Sequence, residues 1–189
     1  MFYNLQLGTQ QEQAKTVFHQ WVAGVVLFFI IAVTVGGYIF LQTKSPDNSF
    51  AIGQTVPSLP LTSLDGQQCA LDSLIQMRTA LIFFTTTCAY CLEELRSWKM
   101  IYSEFNDSLQ LVAVSLSRTK ETIEWAETEH IPFSIYVDES FQVRKEFHVS
   151  TVPVMYFIDS QKRVKSYVAG KRNGKQLRTL IKQYFRTEN

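Results

Sequence analysis

Two cysteines, Cys88 and Cys91, are separated by two residues where an apolar run ends and a helical pattern begins. The apolar run is residues 80–84 (ALIFF), and the helical pattern opens with CLEEL at residues 91–95. A helix start carries unpaired N–H groups and partial positive charge, which lower the pKa of a thiol held there, and the thiolate is the reactive form. The spacing therefore predicts thiol–disulfide exchange, with Cys88 as the nucleophile and Cys91 as the resolving thiol.

The alternative for this pair is half of a zinc site. A structural zinc ion needs two more cysteine or histidine ligands at ligand spacing. After residue 50, the remaining candidates are Cys69, His130 and His148, which stand singly along the chain. We therefore predict a redox-active disulfide between Cys88 and Cys91, no metal and no cofactor, and we interpret the lone Cys69 as a small core residue.

A second feature is the uncharged apolar segment at residues 22–41 (VAGVVLFFIIAVTVGGYIFL). As a helix, this length spans about 30 Å, the thickness of the hydrocarbon core of a bilayer. Trp21 and Tyr38 lie near its ends, where amphipathic rings are favoured. A cleaved signal peptide is the competing interpretation, but the preceding leader is nearly uncharged and no small-x-small site follows Leu41. We expect a retained transmembrane anchor at residues 21–41.

The rest of the chain divides around this anchor. Residues 1–20 are predicted to be a cytoplasmic tail, residues 42–50 a polar linker, and residues 51–189 one globular domain. The net charge is +1, from 18 basic and 17 acidic residues, and there is no basic tract, which argues against a nucleic-acid partner. The weak positive-inside signal favours a cytoplasmic N-terminus and an extracytoplasmic, periplasmic domain.

Hydrophobic periodicity in the domain alternates between strand and helix patterns. The Asp65-Gly66 pair predicts a hairpin turn, and continuously apolar runs predict buried strands. The predicted strands are residues 59–64, 67–71, 80–84, 109–116, 133–137, 154–158 and 164–168. The predicted helices are residues 91–105, 119–129, 140–147 and 175–185. This order predicts an α/β fold with a central mixed sheet flanked by helices.

Three motifs, in their order along the chain, resemble those of TlpA/ResA-like proteins. These proteins are membrane-anchored thiol–disulfide oxidoreductases of the thioredoxin superfamily and are also described as redoxin-like or AhpC/TSA-like. The motifs are IGQTVP at residues 52–57 with LTSLDGQQ after it, LIFFTTTCAYCLEEL at residues 81–95, and FHVSTVP at residues 147–153. The resemblance covers residues 51–189. It implies a thioredoxin-like fold with an extra N-terminal β-hairpin.

The resemblance also implies a cis-proline loop. Pro153 matches the family's cis-proline, which would expose the backbone of Val152 beside Cys88 for pairing with a substrate strand. The alternative is an ordinary trans proline at the start of a strand. Tyr90, between the two cysteines, is expected to be exposed and to contact substrate, although solvent exposure alone would also explain it.

Glu94 matches a glutamate that the family commonly carries three residues after the second cysteine. A partly buried carboxylate there could take the proton of Cys91 during resolution. The alternative is that Glu94 and the neighbouring Glu93 only favour the helix start electrostatically. Glu93 is expected to point to solvent.

Several positions depart from the family pattern. Tryptophan is usual where this chain has Thr87 and Phe84, a buried aspartate is usual in thioredoxins at Ile82, and glycine is common at His148. No proline lies between the cysteines. These departures affect the expected redox potential and choice of partner more than the type of reaction.

The resemblance implies a membrane-tethered enzyme that reduces protein disulfides outside the cytoplasm, as in cytochrome c maturation, with electrons from a membrane thiol donor. We expect it to be a monomer. A disulfide-forming oxidase is the same chemistry in reverse. A peroxidase of the same fold is a third possibility, since Thr85 precedes Cys88 by three residues, but Leu81 replaces the expected proline. A copper-binding or recognition module without enzyme activity is the fourth.

Overall fold

The computed structural model of the chain describes residues 21–22, 24–34, 50 and 52–186. Residues 1–47 and 48–189 form two compact units, which we describe separately. In the first unit, residues 21–22 and 24–34 are helical and are labelled α1. The predicted tail at residues 1–20, residues 35–41 of the predicted anchor and residues 42–49 of the predicted linker lie outside the described residues. Within the described residues, no helix combines the length and apolar character that crossing a membrane requires.

The second unit is built on a sheet that has seven strands in the described part of the chain. The strands are β1 (Pro60–Ser63), β2 (Gln68–Ala70), β3 (Thr79–Phe84), β4 (Gln110–Ser115), β5 (Ser134–Val137), β6 (Val154–Ile158) and β7 (Val164–Ala169). Their order across the sheet is β2-β1-β5-β4-β3-β6-β7. Strands β3, β4 and β5 are parallel, and all other neighbours are antiparallel. The predicted mixed sheet and N-terminal hairpin are therefore confirmed.

Helices alternate with these strands in the predicted order. They are α2 (Leu71–Leu74), α3 (Ala89–Ile101), α4 (Thr119–Glu129), α5 (Gln142–Glu146) and α6 (Gly174–Arg186). Helix α2 was not predicted, because four residues are too few to display a helical period. Helix α3 begins two residues before the predicted start at Cys91 and gives way to a 3₁₀ turn at Tyr102–Glu104.

Strand β3 lies in the middle of the sheet and is buried along its whole length. Ala80, Ile82 and Phe84 face one apolar cluster, in which α3 and α6 pack, and Leu81 and Phe83 face a second cluster on the other side of the sheet. Because successive strand residues alternate between faces, a strand covered on both sides must be continuously apolar, as the sequence indicated. Its carboxyl end leads directly into the loop that carries the cysteine pair.

Several large aromatic side chains of the domain lie in its core. Trp98, Phe147 and Tyr156 are buried, and Trp125 is partly buried against the first cluster. Cys69 is free and only partly buried, and its burial raises the pKa of its thiol. The protonated thiol lies 3.5 Å from the carbonyl oxygen of Leu61 on the neighbouring strand, as expected for a packing residue.

Candidate redox site

Cys88 and Cys91 form a disulfide at the start of α3, with their Cα atoms 5.2 Å apart. Cys88 is the N-cap of the helix, with extended backbone angles, and its Sγ accepts the N–H of Cys91 at 3.2 Å. Cys88 is partly buried, whereas Cys91 is fully buried behind it. The accessible sulfur therefore lies at the positive end of a helix of 13 residues, where the thiolate of the reduced form is favoured.

Backbone and hydroxyl groups hold the loop between β3 and α3. The N–H of Cys88 donates to the carbonyl of Thr85 at 3.3 Å, and the N–H of Thr86 donates to Ser117 Oγ at 2.9 Å. Ser117 itself donates its N–H to the buried hydroxyl of Ser115, at 3.2 Å. Ser117 was missed by sequence analysis. The available signal was that carboxyl ends of adjacent parallel strands, here β3 and β4, meet at one edge of a sheet.

The loop before β6 lies against the disulfide. The Val152–Pro153 peptide bond is cis, as predicted. The Sγ of Cys88 is 3.9 Å from the carbonyl oxygen of Val152, which is partly buried, and Pro153 is buried. The structure thus brings Val152 and Cys88 together, although 64 positions separate them in the chain.

Glu94 is a buried carboxyl group on α3, with only 2% of its surface exposed. Burial raises its pKa to about 7, against the opposing effects of the Arg172 N–H bond and the charges of Arg172 and Lys171. The N–H of Arg172 donates to Glu94 Oε2 at 2.8 Å. A group with this pKa exchanges protons at neutral pH, so the carboxyl can act as either acid or base.

The β7–α6 loop, residues 170–173, ties the helix to the cis-proline loop. The N–H of Gly170 donates to the carbonyl of Pro153 at 2.8 Å. Lys171 forms an ion pair with Glu93, and its ammonium group lies 5.4 Å from the centre of the Tyr90 ring. Sequence analysis missed this loop, because no motif marks residues that lie about 80 positions after the cysteines.

Three other residues singled out in the sequence, Tyr90, Glu93 and His148, are exposed. Tyr90 is 65% exposed and Glu93 is exposed, as expected from the sequence. His148 is exposed, has a positive φ of 50° and lines a separate cleft with α5. Among the described residues, no group of three or more histidine, cysteine, aspartate or glutamate side chains is arranged to hold a metal ion.

Comparisons with known proteins identify related sequences and folds. The profile of the AhpC/TSA family matches residues 52–167. The chain is 24% identical over 163 residues to the thioredoxin-like protein YneN of Bacillus subtilis (strain 168), covering 84% of this chain and 94% of that protein. It is 25% identical over 146 residues to the thiol-disulfide oxidoreductase ResA of Geobacillus kaustophilus (strain HTA426), covering 76% and 84%.

A solved structure gives the same fold. The putative thiol:disulfide interchange protein DsbE from Chlorobium tepidum superimposes with a TM-score of 0.65 at 20% identity, covering 72% of this chain and 97% of that chain. This likeness establishes the thioredoxin-like fold, and the relatives confirm the resemblance found in the sequence.

The raised pKa of Glu94 makes stability depend on pH. The Glu94 carboxyl binds its proton more tightly in the folded state, where its pKa is about 7, than in the unfolded chain, where its pKa is 4.5. The protonated carboxyl therefore contributes its full stabilisation below pH 4.5, and this stabilisation is lost as the pH rises through 7. Between about pH 4 and about pH 8, we expect the free energy of unfolding of the disulfide form to fall by roughly 3 kcal/mol more than that of Glu94→Gln. Denaturant unfolding measures both.

The matched control is Glu124→Gln, which removes an exposed carboxylate from α4. Its pH dependence should follow that of the unmodified chain. Identical pH dependence of the unmodified chain and Glu94→Gln would contradict the assignment of a shifted carboxyl group at this position.

Proposed function

The chain belongs to the AhpC/TSA family, and we propose that it is a membrane-tethered thiol–disulfide oxidoreductase that reduces disulfide bonds in extracytoplasmic proteins. The main support for this proposal is the Cys88–Cys91 disulfide at the helix start, in which the Cys88 sulfur lies beside the Val152 carbonyl. The thioredoxin-like fold and the relatives named as thiol-disulfide oxidoreductases support this type of reaction. Membrane tethering and the direction of the reaction are the further parts of the proposal.

The proposed reaction uses the two sulfurs in sequence. In the reduced enzyme, the Cys88 thiolate attacks one sulfur of a substrate disulfide, and the other substrate sulfur leaves as a thiolate that takes a proton from water. The Cys91 thiol then loses its proton and attacks the Cys88 sulfur, which releases the second substrate sulfur. The substrate gains two electrons, and the cysteine pair loses two electrons and becomes the disulfide.

Glu94 is assigned to the second step. A carboxylate near Cys91 can accept the thiol proton as the resolving sulfur becomes nucleophilic. The support for this role is the burial of Glu94, its pKa of about 7 and the N–H that Arg172 donates to it. The pH dependence of unfolding described above tests whether the carboxyl has the ionisation behaviour that this role requires.

Val152 and Tyr90 are assigned to substrate binding. A substrate strand next to Cys88 can pair with the backbone at Val152, since extended peptides commonly bind by adding to a backbone edge. Tyr90 presents an exposed ring on the first turn of the same helix, steadied by Lys171. These two contacts would place the scissile disulfide over the accessible sulfur.

Trapping tests the exchange mechanism. We expect Cys91→Ser to accumulate mixed disulfides through Cys88 with extracytoplasmic proteins, because the resolving sulfur is absent while the attacking sulfur remains. Non-reducing electrophoresis and mass spectrometry identify the adducts. Cys69→Ser is the matched control, since its thiol is held in a strand, and it should form no lasting adducts. An empty trap under both reducing and oxidising conditions would remove the proposed mechanism.

The reducing direction requires electrons from a membrane thiol donor. Direction follows the reduction potential of the cysteine pair and of its partner. We expect the potential of the Cys88–Cys91 couple to be about −270 mV, the value of thioredoxin, when measured by equilibration with glutathione or dithiothreitol buffers. A potential of about −120 mV would instead favour disulfide formation and reverse the proposed direction.

The membrane tether rests on the uncharged segment at residues 22–41 and on the helical conformation of residues 24–34. We expect the expressed full chain to sediment with membranes after alkaline extraction, and a chain beginning at residue 50 to be soluble after the same treatment. Added protease should digest the domain only from the extracytoplasmic side. Release of the full chain at alkaline pH would contradict the anchor, and digestion from the cytoplasmic side would contradict the orientation.

A further inference from the structure

A cleft of about 630 Å³ lies between α5 and the chain that leads to the cis-proline. Two cationic side chains of α5, Arg144 and Lys145, line it together with the imidazole of His148 and the exposed ring of Phe141. Of the eight described residues in its lining, none is acidic. The proposed reaction does not use any of these side chains.

Three carboxylates lie near the cleft but outside its lining. Asp138 is buried, and its Oδ2 accepts the N–H of Arg144 at 2.7 Å. Glu139 accepts hydroxyl groups of Thr62 and Thr119. Glu146 is on α5 but does not line the cleft.

Two residues of the lining have unusual backbone conformations. Phe141 has a φ of 56° and His148 a φ of 50°, in the left-handed region where side chains other than glycine are uncommon and bulky ones are outliers. Glycine adopts such a φ without steric cost, yet the chain carries an imidazole at position 148 and a phenyl ring, 55% exposed, at position 141. Both side chains are exposed and do not pack in the core.

The cleft is close to the reacting sulfur. Ser150 lines the cleft and is two residues from Val152, whose carbonyl oxygen is 3.9 Å from the Cys88 sulfur. Two residues of extended chain span at most about 7 Å. A peptide lying along the Val152 backbone would therefore place side chains about three residues from its own cysteine within reach of the cleft.

Resting on the proposed function, we propose that this cleft selects substrate proteins that carry an acidic segment beside the disulfide. Carboxylates of the segment pair with Arg144 and Lys145 and accept a hydrogen bond from His148, while the Phe141 ring packs against its apolar atoms. Opposite charge near the site also speeds encounter, an effect that salt screens. The cleft thus adds charge selection to a reaction whose sulfur chemistry is the same for any disulfide.

The test compares two disulfide-linked peptides that differ only in a run of glutamates or glutamines starting about three residues from the cysteine. With the reduced full chain in uncharged detergent micelles, we expect the glutamate peptide to form the mixed disulfide about tenfold faster. In about 1 M salt, where the screening length is about 3 Å, the ratio should fall to within about twofold. Equal rates for the two peptides at low salt would overturn the proposal.

Variants then locate the preference. Lys145→Gln combined with His148→Gly should reduce the ratio of the two rates to about twofold, because a cation and a donor are removed from the cleft. Lys120→Gln removes an exposed lysine of α4 and should keep the full ratio. His148→Gly alone should unfold at a temperature no lower than the unmodified chain, since glycine adopts a positive φ without steric cost. A preference that survives the double variant would overturn the assignment to this cleft.

Two outcomes separate this proposal from the one on which it rests. Failure of the unmodified chain to react with bis(2-hydroxyethyl) disulfide, which is small and uncharged, would remove the proposed function itself. Reaction with this disulfide but no preference between the peptides removes only the cleft's role. Equal peptide rates, together with binding to phosphatidylglycerol vesicles that the double variant loses, would assign the cleft to anionic lipid instead and overturn the proposal.

Discussion

The hydrogen bond from the Cys91 N–H to the Cys88 sulfur, at the first turn of α3, is the interaction on which the site depends. It satisfies a backbone donor that the helix start leaves without an intrahelical partner, and it directs positive potential at the sulfur. The same geometry places the second cysteine one turn deeper and out of solvent. Reactivity and protection are therefore both consequences of where the helix begins. That point is set by the end of the buried strand β3.

A second constraint is the cost of burying Glu94 next to this helix start. Removal from water opposes ionisation, while the Arg172 N–H and two nearby cationic side chains favour it. These opposing effects give the carboxyl a pKa of about 7, so that it exchanges protons readily at neutral pH. The β7–α6 loop moderates the effect of burial, because its backbone supplies the donor to Glu94, and the loop also holds the cis-proline segment through Gly170.

We assign the surface beside the disulfide to partner choice and not to the sulfur chemistry. The helix start and the cis-proline loop provide the chemistry, which any disulfide of suitable access can use. Phe141 and His148, in left-handed conformations, add side chains where glycine would fit without strain. In our proposal, partner choice resides in these side chains and in the cationic face of α5, apart from the sulfur chemistry. Such a division would allow selectivity to change while the reaction is preserved.

Local patterns of the sequence determined much of the architecture. The apolar run at β3, the helical spacing of α3, the Asp65-Gly66 hairpin and the order of strands and helices were all readable, because burial and periodicity are properties of neighbouring residues. The cysteine spacing predicted that both sulfurs lie at one helix start. The cis form of Pro153 required the family resemblance, since local sequence also permits a trans bond.

Only the tertiary structure decided which distant groups meet at this helix start. Nothing local indicates that Ser117 would anchor the loop before Cys88, that Arg172 would donate to Glu94, or that His148 would line a cationic cleft with α5. The short α2 likewise has too few residues to show a helical period in the sequence. The physical reason is that hydrogen bonds, burial and electric fields act through space, whereas a sequence pattern records only which residues are close along the chain.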